Sequence, residues 1–75
     1  MDEKLLDAIA GELQVTPRDL KSESLLSSFE MWDSVTALTV MVLLGDTLGV
    51  PVEPTEMARL ATFGDLEALV RSKRK

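Results

Sequence analysis

The chain has 75 residues, with 13 acidic and 8 basic side chains for a net charge of −5, and it contains neither cysteine nor histidine. A chain of this length forms one small domain with a limited core. The missing residue types exclude disulfides, thiolate metal sites and an imidazole base. We therefore expect no metal site and no catalytic activity of its own.

The basic residues are concentrated at one end of the chain. Residues 1–70 contain 4 bases and 13 acids, whereas four bases stand within residues 71–75. An acidic body repels nucleic acid and anionic lipid and favours partners that present Lys and Arg. We interpret residues 71–75 as a frayed basic tail whose charges complement a helix dipole, in preference to a nucleic-acid-binding segment.

The sequence shows no targeting or membrane segment. The first residues include Asp2, Glu3 and Lys4, with no apolar signal region behind them. The longest apolar stretch, residues 35–44, contains two threonines and is too short to cross a bilayer. We expect a soluble, cytoplasmic and monomeric protein.

The first half of the chain predicts one helix and a long connection. Helically spaced apolar residues from Leu5 to Leu13 predict a helix over residues 2–14. Thr16 and Pro17 then suit the cap and first position of a single turn. Residues 21–32 are rich in serine but contain several large apolar side chains, so we expect this loop to pack against the domain.

Three further helices follow the loop. Asp33 suits the cap of a helix over residues 34–48, which Gly49 and Pro51 would close. A short third helix is predicted from residue 54 to about residue 60, and residues 62–65 have capping-box spacing at the start of a fourth. The prediction is a single all-α domain over residues 1–75, a small four-helix bundle with three main helices and one short one.

The second helix carries more apolar surface than one core requires. Its predicted core sector contains Ala37, Leu38, Met41, Leu44 and Leu48, with Val40 at the edge. Outside that sector lie Val35, Val42 and Leu43, together with Thr36, Thr39, Asp46 and Thr47. Either the helix is contacted from several sides, or Val35 and Val42 contribute to a docking face for partner proteins.

Ser34 follows the predicted cap, at the positive end of the second helix. A phosphate group is electrostatically favoured there. By itself, however, a serine at a helix start is more often structural.

A longer pattern surrounds Ser34. The segment Trp32-Asp33-Ser34-Val35 precedes an apolar helix, then Leu48-Gly49-Val50 and a Pro-Thr-Glu start follow, and Thr62-Phe63-Gly64-Asp65-Leu66 begins the last helix. This pattern resembles the acyl carrier protein family over nearly the whole chain. The resemblance implies a four-helix bundle whose serine receives 4'-phosphopantetheine from coenzyme A through a phosphopantetheinyl transferase.

The same resemblance implies roles for two residues. Ser34 would be the attachment site, and Asp33 the motif acid that holds the helix start and assists magnesium-dependent transfer on the transferase. The sequence departs from the family pattern at Val35, where leucine is usual, and in having Asp46 as the only acid of the second helix. Partner choice would then depend more on apolar contact than on charge.

We therefore predict a discrete carrier that holds acyl groups as thioesters for partner enzymes of fatty acid, polyketide or other specialised synthesis. The Trp-Asp-Ser form resembles carriers of specialised pathways. The predicted docking residues are Val35, Val42, Asp46, Met57 and Arg59, with a core position favoured for Met57. The predicted acyl-chain contacts are Met41, Leu44 and Leu60, beside the alternative of a closed core. An aminoacyl or peptidyl carrier, or an unmodified helical interaction subunit, remains the alternative function.

Overall fold

The structure, a computed structural model, describes residues 3–73. Its helices are α1 (Glu3–Leu13), α2 (Ser34–Leu48), α3 (Pro54–Ala58) and α4 (Phe63–Lys73). Two short 3-10 turns, Pro17–Asp19 and Leu26–Ser28, lie in the connection between α1 and α2. The described residues contain no strand, and the predicted all-α fold with three main helices and one short helix is confirmed.

Side-chain caps fix the starts of α2 and α4. The Asp33 carboxylate accepts the Thr36 backbone N–H at 2.8 Å, so α2 begins at the predicted residue. At α4, the Thr62 N–H donates to Asp65 at 3.1 Å and the Asp65 N–H donates to the Thr62 hydroxyl at 3.1 Å. This reciprocal pair is the predicted capping box.

Residues in the left-handed backbone conformation end α1 and α2. Gly49 has a φ of 71° and its N–H donates to the Gly45 carbonyl, which closes α2 as predicted. After α1, Gln14 has a φ of 56°, its N–H donates to Gly11, and the Val15 N–H donates to Ala10. Those two bonds form a Schellman motif with glutamine at the position that glycine usually occupies.

The core lies between α2 and the other helices, since α2 packs against α1, α3 and α4. Apolar side chains from every helix and from the loops are excluded from water there. The most deeply buried are Phe63, Leu5, Ile9, Leu13, Leu26, Leu44, Leu66, Val40 and Val70.

The predicted core sector of α2 is wrong at two positions. Leu38 is 52% exposed, whereas Thr36 is buried at 9%. The buried side of the helix runs along Thr36, Val40 and Leu44, one side chain per turn. Hydrophobicity alone had favoured the side with Leu38, because a sequence does not show where α1 and α4 contact the helix.

The loop before α2 packs against the domain, as predicted, and is hydrogen-bonded to the start of α4. An isolated antiparallel bridge joins Leu25 to Thr62. The Leu26 N–H donates to Ala61, and the Phe63 N–H donates to Ser24. These bonds satisfy the loop's backbone groups over the core.

The last turn of α4 contains the first three residues of the predicted basic tail. Residues 71–73 are helical, and the Lys73 ammonium lies 2.9 Å from the Glu56 carboxylate of α3. The remaining tail residues, Arg74 and Lys75, lie outside the described residues. None of the helices within residues 3–73 has the length and apolar character needed to cross a membrane.

Candidate functional site around Ser34

Ser34 is the first residue of α2 and is exposed to solvent. The neighbouring Asp33 fills the capping position through its bond to the Thr36 N–H. The Ser34 hydroxyl makes no hydrogen bond to the other described residues. An accessible hydroxyl therefore stands at the positive end of a 15-residue helix, where a phosphate ester fits both sterically and electrostatically.

The capping bond also controls the charge of Asp33. The Thr36 N–H is the main cause of a lowered pKa for this carboxyl, and burial acts weakly in the opposite direction. A hydrogen bond to the ionised form favours that form. Asp33 is therefore a carboxylate at neutral pH, beside the Ser34 hydroxyl.

An open groove of about 570 Å³ begins at Ser34 and runs between α2 and α3. From α2 it is lined by Ala37, Leu38 and Met41, and from the α3 side by Pro54, Met57, Ala58 and Leu60. Trp32 and Asp33 complete its mouth, and Asp33 is the only ionisable residue among the described residues that line it. The groove suits an apolar group attached near Ser34.

The outer face of α2 is apolar and carries little charge. Val35 is 72% exposed and Val42 is 58% exposed, so neither side chain is covered by another helix of the described part of the chain. Together with the exposed Leu38 they follow one side of the helix over two turns. Asp46 is exposed and lines a second open groove, of about 490 Å³, with Val42, Val50 and Val52.

The other residues predicted for the site lie in three different places: the groove, the core and the surface. Met41 and Leu60 are half-buried and line the groove at Ser34. Leu44 is completely buried and does not line that groove, because it lies on the core side of α2. Met57 is 8% exposed, in agreement with the core position favoured for it, and Arg59 is exposed after the end of α3.

The sequence reasoning missed several residues of the groove: Trp32, Ala37, Leu38, Pro54 and Ala58. Helical spacing contained a usable signal for two of them. Ala37 and Leu38 stand three and four residues after Ser34, which places them on its side of the helix. The α3 residues had no such signal, because the approach of α3 to α2 is a tertiary contact.

A small helical bundle with an exposed serine at a capped helix start, beside an apolar groove, has the architecture of a carrier domain. The family described as a phosphopantetheine attachment site matches residues 3–70, and the chain belongs to this family. The match confirms the resemblance to acyl carrier proteins. Domains of this family are attachment sites for covalent 4'-phosphopantetheine. A comparison with curated proteins finds no match to the chain.

Proposed function

We propose that Ser34 receives 4'-phosphopantetheine from coenzyme A and that the protein carries acyl groups for partner enzymes. In the transfer, the Ser34 oxygen forms a bond to phosphorus and its proton passes to a base of the transferase. The adenosine bisphosphate half of coenzyme A is the leaving group. When bound, the phosphopantetheine supplies a terminal thiol that holds an acyl group as a thioester.

The main support for this proposal is that the exposed Ser34 hydroxyl makes no hydrogen bond to the other described residues. Within residues 3–73, the hydroxyls of four serines form hydrogen bonds to other residues; these are Ser22, Ser24, Ser28 and Ser72. Only Ser27 and Ser34 have no such bond. Ser34 begins a long helix whose cap is already occupied by Asp33, whereas Ser27 lies inside a 3-10 turn.

The groove beside Ser34 supports a neutral, apolar acyl group as the cargo. Met41 and Leu60 are the predicted contacts that line it, and Leu38 adds a third apolar side chain. Moving an alkyl chain from water onto these side chains is favourable by about 0.8 kcal/mol for each fully buried CH₂. The completely buried Leu44 lies outside this proposal.

The α2 face next to Ser34 is proposed as the docking surface for the transferase and the acyl-processing enzymes. Val35 and Val42 would make the apolar contacts, and Asp46 and Arg59 would form polar contacts at its edge. Met57 would act from the groove side, where little of its side chain is exposed. Because Asp46 is the only charged residue of α2, we propose that docking depends more on a complementary apolar surface than on charge.

Tethering makes weak docking sufficient. A group held on a flexible arm reaches each docked enzyme at a high effective concentration, so the protein contact itself need not be strong. Weak docking agrees with the small size of the apolar α2 face, whose exposed side chains are Val35, Leu38 and Val42.

The experiment is transfer by a broad-specificity phosphopantetheinyl transferase with coenzyme A, followed by mass measurement of the intact protein. We expect a mass gain of one phosphopantetheine group in the wild type and none in Ser34→Ala. Ser27→Ala is the matched control, since it removes the other exposed serine hydroxyl without a hydrogen bond. It should be modified like the wild type.

Two results would overturn the proposal. One is the absence of a mass gain in wild-type protein that keeps its helical circular dichroism, which would favour the unmodified interaction subunit. The other is a gain that persists in Ser34→Ala. Loading of the modified protein with acyl groups and with amino acids, by their respective ligases, then distinguishes an acyl from an aminoacyl carrier.

A further inference from the structure

One carboxylate oxygen of Glu56 makes two contacts that connect different parts of the chain. Its Oε1 atom accepts the Glu53 backbone N–H at 3.0 Å and lies 2.9 Å from the Lys73 ammonium. The Glu53 N–H precedes α3, and Lys73 belongs to the last turn of α4. The oxygen therefore links the end of α4 to the start of α3.

The ion pair of this link is only partly exposed. The side chains of Lys73 and Glu56 are 25% and 29% exposed, so both are partly shielded from water. The Glu53 N–H, and after it Lys73, holds the pKa of Glu56 below its ordinary value, with a weaker effect from Arg59. Glu56 is thus charged at neutral pH and able to pair with Lys73.

The helix held by this link forms a wall of the groove at Ser34. Pro54, Met57 and Ala58 of α3 line that groove. α3 has only five residues, and a helix of this length is not stable without external contacts. Of these wall residues only Met57 is buried, so Pro54 and Ala58 add little packing to hold the wall in place.

We propose that Lys73 is a positioning residue for the groove, acting through Glu56 to hold α3 against α2. Removing the Lys73 charge frees the Glu56 carboxylate from α4 and lets α3 open away from the groove more often. The effect on bound cargo rests on the proposed carrier function, whereas the effect on α3 itself does not.

The first test is backbone amide hydrogen exchange on the unmodified protein. The reporter amides are those of Met57, Arg59 and Leu60, which donate to carbonyls within or next to α3. In Lys73→Gln, we expect their exchange to accelerate about two- to fivefold, the range that a partly exposed ion pair supplies. The amide of Ala37, at the start of α2, should keep its wild-type rate.

Arg71→Gln is the matched control. It removes one positive charge from the same helix, and Arg71 is exposed and makes no ion pair with the described residues. Its α3 amides should exchange at the wild-type rate. Lys73→Arg keeps a cation able to reach Glu56 and should also preserve slow exchange.

Glu56→Gln separates charge from capping. The amide oxygen can still accept the Glu53 N–H, but less strongly than the carboxylate does, so the α3 amides of this variant should exchange at least as fast as those of Lys73→Gln. Adding Lys73→Gln to Glu56→Gln should cause no further acceleration. In 1 M salt, where the screening length is about 3 Å, the wild type should approach Lys73→Gln.

Equal exchange in Lys73→Gln and Arg71→Gln would overturn the proposal, as would Lys73→Arg behaving like Lys73→Gln. The second test uses protein modified at Ser34 and loaded with an octanoyl group. Cleavage of that thioester by hydroxylamine should be faster in Lys73→Gln than in Arg71→Gln. Failure of modification concerns Ser34 alone and leaves the exchange test decisive for Lys73.

Discussion

The carboxylate of Asp33 accepts the backbone N–H of Thr36 at 2.8 Å, and the Ser34 hydroxyl between these residues is left exposed. One residue thus caps the helix while the next presents its side chain to solvent. Because Asp33 fulfils the structural requirement of the helix start, the proposed modification of Ser34 would leave the cap in place.

Asp33→Ala should lower the stability of the protein in a pH-dependent manner. The folded pKa of Asp33 lies below its unfolded value of 3.8. The ionised carboxylate therefore stabilises the fold above pH 3.8, and this contribution is lost as the pH falls through the lowered pKa. Thermal melts should show the variant less stable at neutral pH, with the difference from wild type shrinking in acid.

Asp33→Asn is the control for that measurement. Asparagine caps helices about as well as aspartate but does not ionise. It should be closer to wild type than Asp33→Ala at neutral pH. A constant difference between wild type and Asp33→Ala across the acid range would contradict the assigned role of the ionised carboxylate.

Gly64→Ala should destabilise the protein, because Gly64 lies against the backbone of the loop. A Cβ atom at this position would stand 2.8 Å from the Ser22 carbonyl oxygen, which also accepts the Gly64 N–H at 2.9 Å. Relief of the clash would weaken that bond, at a cost of about 1–3 kcal/mol in the free energy of unfolding. Urea unfolding measures the change.

Gly11→Ala makes the same glycine-to-alanine change but should increase stability. Gly11 lies within α1, and a Cβ atom there would meet nothing within 4 Å. Alanine should stabilise the helix by about 0.5–1 kcal/mol. If Gly11→Ala and Gly64→Ala lost similar amounts of stability, the contact with Ser22 would not be the cause of the loss at Gly64.

Gln14→Gly should increase stability. Gln14 holds a left-handed conformation with a φ of 56°, which costs a residue with a Cβ atom about 1–2 kcal/mol. Glycine removes that strain but loses more entropy on folding, so a net gain of roughly 0.5–1 kcal/mol is expected. Gly49→Ala should lower stability, because Gly49 has a φ of 71° and alanine would be strained there. Denaturant unfolding should therefore show a higher free energy of unfolding for Gln14→Gly and a lower one for Gly49→Ala.

Val42→Ala and Val40→Ala should separate docking from folding. Val42 is 58% exposed, so its truncation should change stability by less than about 0.5 kcal/mol. Because Val42 is already partly buried before docking, losing its two methyl groups from an apolar interface should cost about 1 kcal/mol, and the kcat/KM of the variant with the transferase should fall roughly fivefold. Added salt should alter that rate little, because the α2 face has a single charge.

Val40→Ala provides the contrast. Val40 is completely buried, and losing two methyl groups should cost roughly 2 kcal/mol of stability. Its kcat/KM should stay near wild type below the melting temperature. A steep salt dependence in the wild type would show that charge guides docking.

Local chemistry made most helix boundaries predictable. The limits of α2 follow from Asp33 before it and Gly49 after it, and α4 starts at its Thr62–Asp65 capping box. Each of these signals acts over four residues or fewer. The family pattern around Ser34 was equally local, and it led to the attachment family that the comparison confirms.

Features that depend on distant residues were not predictable in the same way. The exposure of Leu38 and the burial of Thr36 depend on where other helices contact α2. The pair between Glu56 and Lys73 joins helices whose relative position the sequence did not reveal. The sequence therefore did not indicate that Lys73 of the tail would be helical and paired with an acid of α3.

The bridge between Leu25 and Thr62 has a consequence for the order of events during synthesis. A chain emerges from the ribosome N-terminal end first. The loop preceding Ser34 finds its hydrogen-bonding partners only after residues 61–64 have left the exit tunnel. Any enzyme that recognises the native setting of Ser34 would therefore act only after residues 61–64 have become available, and a nascent fragment ending before residue 61 would escape premature modification.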